Sequence, residues 1–387
     1  MSAVGVGGIL LSLLAFGWFT QQKNNRRLAL FLIIAMLHVV ASYIYYVFVQ
    51  SNDADTKLYY YDPYGFYVQG FGLGTMFAVY VTQTLRGIIG GTYFDYFLLY
   101  QVMGVWGLAL MMRTMEETAG VLQTQIPPVM LGLLFLPGLY FWTSAIGKDP
   151  ALFLACALAV WSCFQISRRW IWFGLAIVIM VLFRAHIALL TVISLALALV
   201  VGRGVPKIAR VLLALAALIT GYFLFSTLQS ELRVDLSSIG AIANYVDVQT
   251  TSATRGEDNT LVNAAFPIKL FSVLYRPLFF DATSAFSVIA SFQNVVLVAI
   301  SVVLIRNFRL WAELFRSSLA IRFATFHFVA IYLLLAFAYY NVGLGLRQRE
   351  MATPALIAVF GAVFMVSRLR RRAAAVALGM PARSVAA

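Results

Sequence analysis

Two arginines stand two positions apart, Arg347 and Arg349, in the short glycine-spaced stretch from Asn341 to Glu350 that separates two apolar runs near the C-terminus. Guanidinium groups so placed can grip a phosphate or diphosphate through forked, charge-assisted hydrogen bonds. The competing reading is that they reach out to lipid headgroups. Comparable groups recur between other apolar runs. Lys148 and Asp149 follow a glycine and precede Pro150, where a helix should begin and where anions are favoured; Lys148 either receives a phosphate there or pairs with Asp149. Arg184 and His186 occupy a tight turn, and His186 suits proton transfer or a phosphate hydrogen bond. Arg276 precedes Pro277, which holds its backbone extended, with Asp281 available as its partner. Asp53, Asp55 and Asp62 sit in a tyrosine-rich segment, where a carboxylate can act as general base or hold a divalent cation. Acidic residues in an aqueous loop need have no such role.

The elements that must position these groups are membrane helices. Over 387 residues, 62% are hydrophobic and 11% charged, with a mean hydropathy of +0.88, far more apolar than a soluble domain. Runs near 3–20, 28–49, 93–112, 127–144, 151–166, 170–184, 187–201, 208–226, 286–305, 323–340 and 351–367 predict an all-α polytopic membrane protein with about eleven transmembrane helices. They form one domain over 1–372, with a tail over 373–387. The N-terminal run lacks a positive leader segment and is expected to be the first membrane helix.

Of the 28 Lys and Arg residues, eighteen fall in one set of loops and in the tail, which makes that side cytoplasmic, the N-terminus periplasmic and the C-terminus cytoplasmic. Two long outer loops result, 50–92 and 227–285. Their apolar segments, 64–90 and 261–280, read as interfacial helices. The net charge of +13 is dispersed as orientation signals, so nucleic acid is not the expected partner. Membrane lipids are.

Cys156 and Cys163 are seven residues apart on one predicted helix, roughly 10 Å along its axis, too far for a disulfide. No Cys/His cluster has metal-ligand spacing, so no metal or cofactor is expected beyond a divalent cation at Asp53 and Asp55. His38 and His327 lie within apolar runs and read as interior residues. No phosphate-binding glycine loop of the soluble nucleotide folds is present. On the assigned topology Lys148, Arg184, His186, Arg276, Arg347 and Arg349 all approach the outer face. Carboxylates are interspersed among them, an arrangement suited to transfer at a lipid-linked phosphate.

Several short motifs carry a resemblance. Asp55 with Tyr59, the stretch from Phe135 to Asp149, Arg184 with His186, the Tyr275–Pro277 triplet, and Asn341 with Arg347, Arg349 and Pro354 resemble bacterial membrane proteins of exopolysaccharide and O-antigen clusters. Those proteins are similar to O-antigen polymerases and to C-type, polyprenyl-phosphate-dependent glycosyltransferases. The resemblance implies an inner-membrane enzyme moving a glycan from a polyprenyl diphosphate to a hydroxyl at the periplasmic face, alongside other polysaccharide-assembly proteins. Asp53 or Asp55 would be the base, and arginines of the later loops would bind the diphosphate. Ala185 stands where a proline is expected, and no Trp-Glu pair follows Pro277. A flippase for lipid-linked oligosaccharide and a non-catalytic secretion subunit are the alternatives.

Overall fold

The structure, a computed structural model, describes residues 2–19, 25–52, 54–202, 264–338 and 342–378, with isolated positions between 203 and 263. Among these residues every regular element is helical. The first half comprises α1 (Ala3–Phe19), α2 (Asn25–Ser51), α3 (Asp55–Tyr61), α4 (Thr75–Ile89), α5 (Tyr93–Val121), two short pieces α6 (Pro128–Gly132) and α7 (Pro137–Phe141), α8 (Lys148–Cys163) and α9 (Ile166–Val200). The second comprises α10 (Phe266–Tyr275), α11 (Ala285–Arg306), α12 (Phe308–Ser317), α13 (Leu319–Ala338), α14 (Val342–Arg349) and α15 (Thr353–Ala377).

Among the described residues six helices are long and apolar enough to cross a bilayer: α2, α5, α9, α11, α13 and α15. The predicted number of about eleven is not confirmed by these residues, for local reasons. The run over 127–144 is cut into α6, α7 and two 3-10 turns, because Pro137 holds Leu136 extended and starts a new helix instead of continuing the one before it. The run over 151–166 is α8, whose 16 residues span about 24 Å against the ~30 Å of a bilayer core. The run over 208–226 lies almost wholly outside the described residues, as does the polar stretch 229–260. The last helix continues without interruption past residue 372 to Ala377.

Helix α9 takes in both predicted runs, 170–184 and 187–201, and breaks at Arg184, whose φ of −156° and ψ of 90° are not helical. The Thr191 hydroxyl lies 3.2 Å from the Met180 sulfur. Eleven residues of straight helix would hold them about 16 Å apart, so the two halves fold back on each other as a hairpin.

At the centre stands α8. All of it is buried except Lys148 and Leu154, as expected of a helix apolar on every face. Small residues, Ala151, Ala155, Ala157 and Ala159, let α5 and α9 pack closely on it. Its two ends carry different chemistry about 20 Å apart. At the C-terminal end, Glu117 accepts two bonds of 2.8 Å from Arg169, one of 3.1 Å from the Trp161 indole and one of 3.0 Å from Arg113, which ties α5, α8 and α9 together. The N-terminal end gathers the predicted site residues.

Candidate functional site

Gly147 begins the site. Its φ of +137° suits only glycine, and a Cβ there would lie 2.5 Å from the Tyr59 ring. Tyr59 therefore rests on the backbone just before α8 and brings α3, with Asp55 at its start, against the N-terminus of α8. Asp149 then becomes the hub. Buried in the first turn of α8, it pairs closely with Arg347 Nε and, at 3.2 Å, with Arg184 Nη2. Arg347 extends Nη1 to Asp55 Oδ2 at 2.9 Å, and the Lys148 ammonium donates to the Thr75 hydroxyl at 2.8 Å. His186, two residues past the break in α9, lies within electrostatic reach of Arg184 and Lys148. Four segments distant in sequence thus meet: α3, the start of α8, the turn of α9 and α14.

Burial pushes the Asp149 carboxyl up, but the Arg347 and Arg184 guanidinium groups outweigh it and hold it below the usual carboxylate range, so it is ionised. Burial, then the charge of Arg184, lowers Lys148 to about 8. Burial raises the Tyr59 phenol out of its ordinary range, leaving it a neutral wall. With Lys148 protonated, three cations face two carboxylates. Asp55 is 52% exposed, whereas Arg184 Nη1 is buried and makes no hydrogen bond within the protein. The cluster carries one unmatched positive charge and one unused donor, which is what an anion requires.

The other predicted residues lie elsewhere. Arg349 does not share a ligand with Arg347, because the stretch is helical and residues two apart point about 200° from each other. Arg349 is instead buried, donating to the Leu274 carbonyl at 3.3 Å and lying 3.8 Å from Glu350. Glu350 accepts from Gln293 at 2.7 Å and from Thr353 at 3.1 Å, and Gln293 in turn accepts from the Gly138 amide at 2.7 Å. A Cβ on Gly138 would collide with both side chains. Arg276 pairs closely with Asp281, which also accepts from the Leu278 amide, a local ring away from the cluster. Asp62 accepts from the amides of Phe66 at 2.8 Å and Tyr67 at 2.9 Å and so caps a turn. Asp53 lies outside the described residues. Among those described, no three His, Cys, Asp or Glu side chains come together as a metal site. His38 bonds to Thr143 at 3.1 Å inside the bundle, and His327 approaches Thr191 at 3.5 Å.

Sequence reasoning missed Thr75 and the supporting part played by Tyr59 and Gly147. The spacing of Asp55 and Tyr59, one helical turn apart, was the available signal for Tyr59; for Thr75 there was none. No family model matches the chain, and no curated protein or solved structure matches it.

Proposed function

We propose that the protein is a membrane glycosyltransferase or polysaccharide polymerase that moves a glycan from a polyprenyl diphosphate to a hydroxyl acceptor. The carrying observation is the shared position of Arg347 between buried Asp149 and exposed Asp55, with Lys148 and Arg184 beside it. Asp149 fixes the two guanidinium groups, and the excess positive charge receives the diphosphate. Arg347 then exchanges Asp55 for a phosphate oxygen, freeing Asp55. The acceptor hydroxyl oxygen attacks the anomeric carbon and its proton passes to Asp55. The bond from that carbon to the phosphate oxygen breaks, and its electron pair leaves with the polyprenyl diphosphate, where Lys148, Arg184 and Arg347 stabilise it. His186 lies at the same end, two residues past the break in α9. On this reading the cluster lies on the periplasmic side of a bacterial inner membrane, which the lysine and arginine distribution along the sequence supports.

The test is conversion of an undecaprenyl-diphosphate glycan by the purified protein in nanodiscs, read as elongated product and released undecaprenyl diphosphate. Arg347→Ala should lower the rate by about 10²–10³-fold, the usual loss when a charge-stabilising donor is removed. An unchanged rate in a correctly inserted variant overturns the proposal. One observation favours a transporter of the same substrate: the break in α9 and the interrupted 128–144 segment resemble the discontinuous helices of carriers. Substrate that crosses vesicles without being elongated would establish that reading instead.

A further inference from the structure

From Pro63 to Leu85 the chain contains no charged residue, although it follows three aspartates and a lysine. In the structure this stretch is a lip, residues 63–74, followed by α4. The lip turns its apolar groups outward: Val68 is 89% exposed, Tyr64 71% and Phe71 62%. Against water, such a patch costs roughly 25 cal/mol per Å², whereas tyrosine and phenylalanine on an uncharged backbone suit the boundary of headgroups and acyl chains. The helix that follows the lip also packs against a spanning helix. The Thr82 hydroxyl of α4 shares a 2.7 Å hydrogen bond with the Tyr100 hydroxyl, seven residues inside the spanning helix α5. Asp62, the charge at the root of the lip, is spent on the backbone amides of Phe66 and Tyr67.

The lip is also joined to the cation cluster. Its last residue, Gly74, donates its amide to the Leu182 carbonyl at 2.9 Å, next to the break at Arg184. Thr75 accepts from Lys148 at 2.8 Å, and Phe77 packs edge-on against Phe183 at 5.0 Å. We infer that residues 63–74 insert into the adjoining lipid leaflet, forming a bilayer-contacting lip that is joined through Gly74 and the adjacent Thr75 to the Lys148 and Arg184 side of the cluster. A lipid surface is the occupant because the patch is aromatic and uncharged and leads into a helix packed on the membrane-spanning α5.

The inference is tested with an environment-sensitive fluorophore on Val68→Cys or Phe71→Cys in phosphatidylcholine vesicles. Cys156 and Cys163 are buried and stay unlabelled. Spin-labelled lipid should remove most of the emission at both positions and aqueous iodide little, with the reverse at exposed Asn52→Cys. Quenching by iodide at 68 and 71 overturns the inference. So does protection from both quenchers, which would mean a protein contact. Since no catalysis is measured, the outcome is independent of whether the protein transfers a glycan.

Discussion

Asp149 organises the cluster because it is the buried carboxylate that two guanidinium groups share. Asp149→Asn keeps the shape and removes the charge, leaving Arg347 and Arg184 under-compensated, and should destabilise the fold by about 3 kcal/mol. Added sulfate should then raise the melting temperature of the variant more than that of the wild type, which thermal unfolding in detergent would measure. Lys148 gives a pH signature. Facing Arg184 and His186 from α9, Asp149 from its own helix, Asp55 from α3, Arg347 from α14 and the Thr75 hydroxyl from α4, it loses its proton at about 8. Its protonated form is the one that attracts an anion. Affinity for sulfate, whose charge is constant over the range, should therefore be full below about pH 8 and fall as the pH rises through that value. Lys148→Arg, which keeps its charge, should flatten this profile in calorimetric titrations; identical profiles would count against contact between Lys148 and the anion.

At the scale of elements, helix geometry decides which groups meet. Because α14 is helical, Arg347 enters the cluster while Arg349 turns inward to Glu350, which Gln293 and Thr353 hold in place. The hairpin in α9 delivers Arg184 and His186 to the same end of the bundle as the start of α8. The contact between Gly147 and Tyr59 is the hinge on which α3 is hung. Gly147→Ala puts a Cβ into the ring at a backbone angle that disfavours it, a cost of about 1–3 kcal/mol. It should reduce the proposed glycan transfer at least tenfold, with helix content by circular dichroism unchanged. Tyr59→Ala in the same chain should recover only the part due to the collision, since the backbone conformation still disfavours alanine.

Across the whole molecule, polar side chains collect at the two ends of the helices. One end has Asp55, Lys148, Asp149, Arg184 and Arg347; the other has Arg113, Glu117 and Arg169, with Arg370 paired to Glu313 at the far end of α15. Engineered thiols should divide accordingly. Asp55→Cys should react with an impermeant maleimide added to intact spheroplasts, and Arg370→Cys only after permeabilisation. Labelling of both from one compartment would remove the basis for a periplasmic active centre.

The sequence by itself determined that the chain is helical and built for a membrane, and that its charges cluster between apolar runs. It also supplied most of the site, Asp55, Lys148, Asp149, Arg184, His186 and Arg347, because a cation beside an apolar run must be explained by an anion, a headgroup or water. It did not reveal that Asp149 is the shared anchor or that Arg349 faces inward, and it offered the pairing of Arg276 with Asp281 without deciding for it. Nor did it show that the 127–144 run is broken, although it did place the tight turn at Arg184 and His186 on which 170–201 folds back. Apolar helices look alike on every face, so hydropathy carries little information about which sides touch. Only the tertiary packing of α3, α9 and α14 around α8 selects, from the cations at one end, the three that share a place with Asp55 and Asp149.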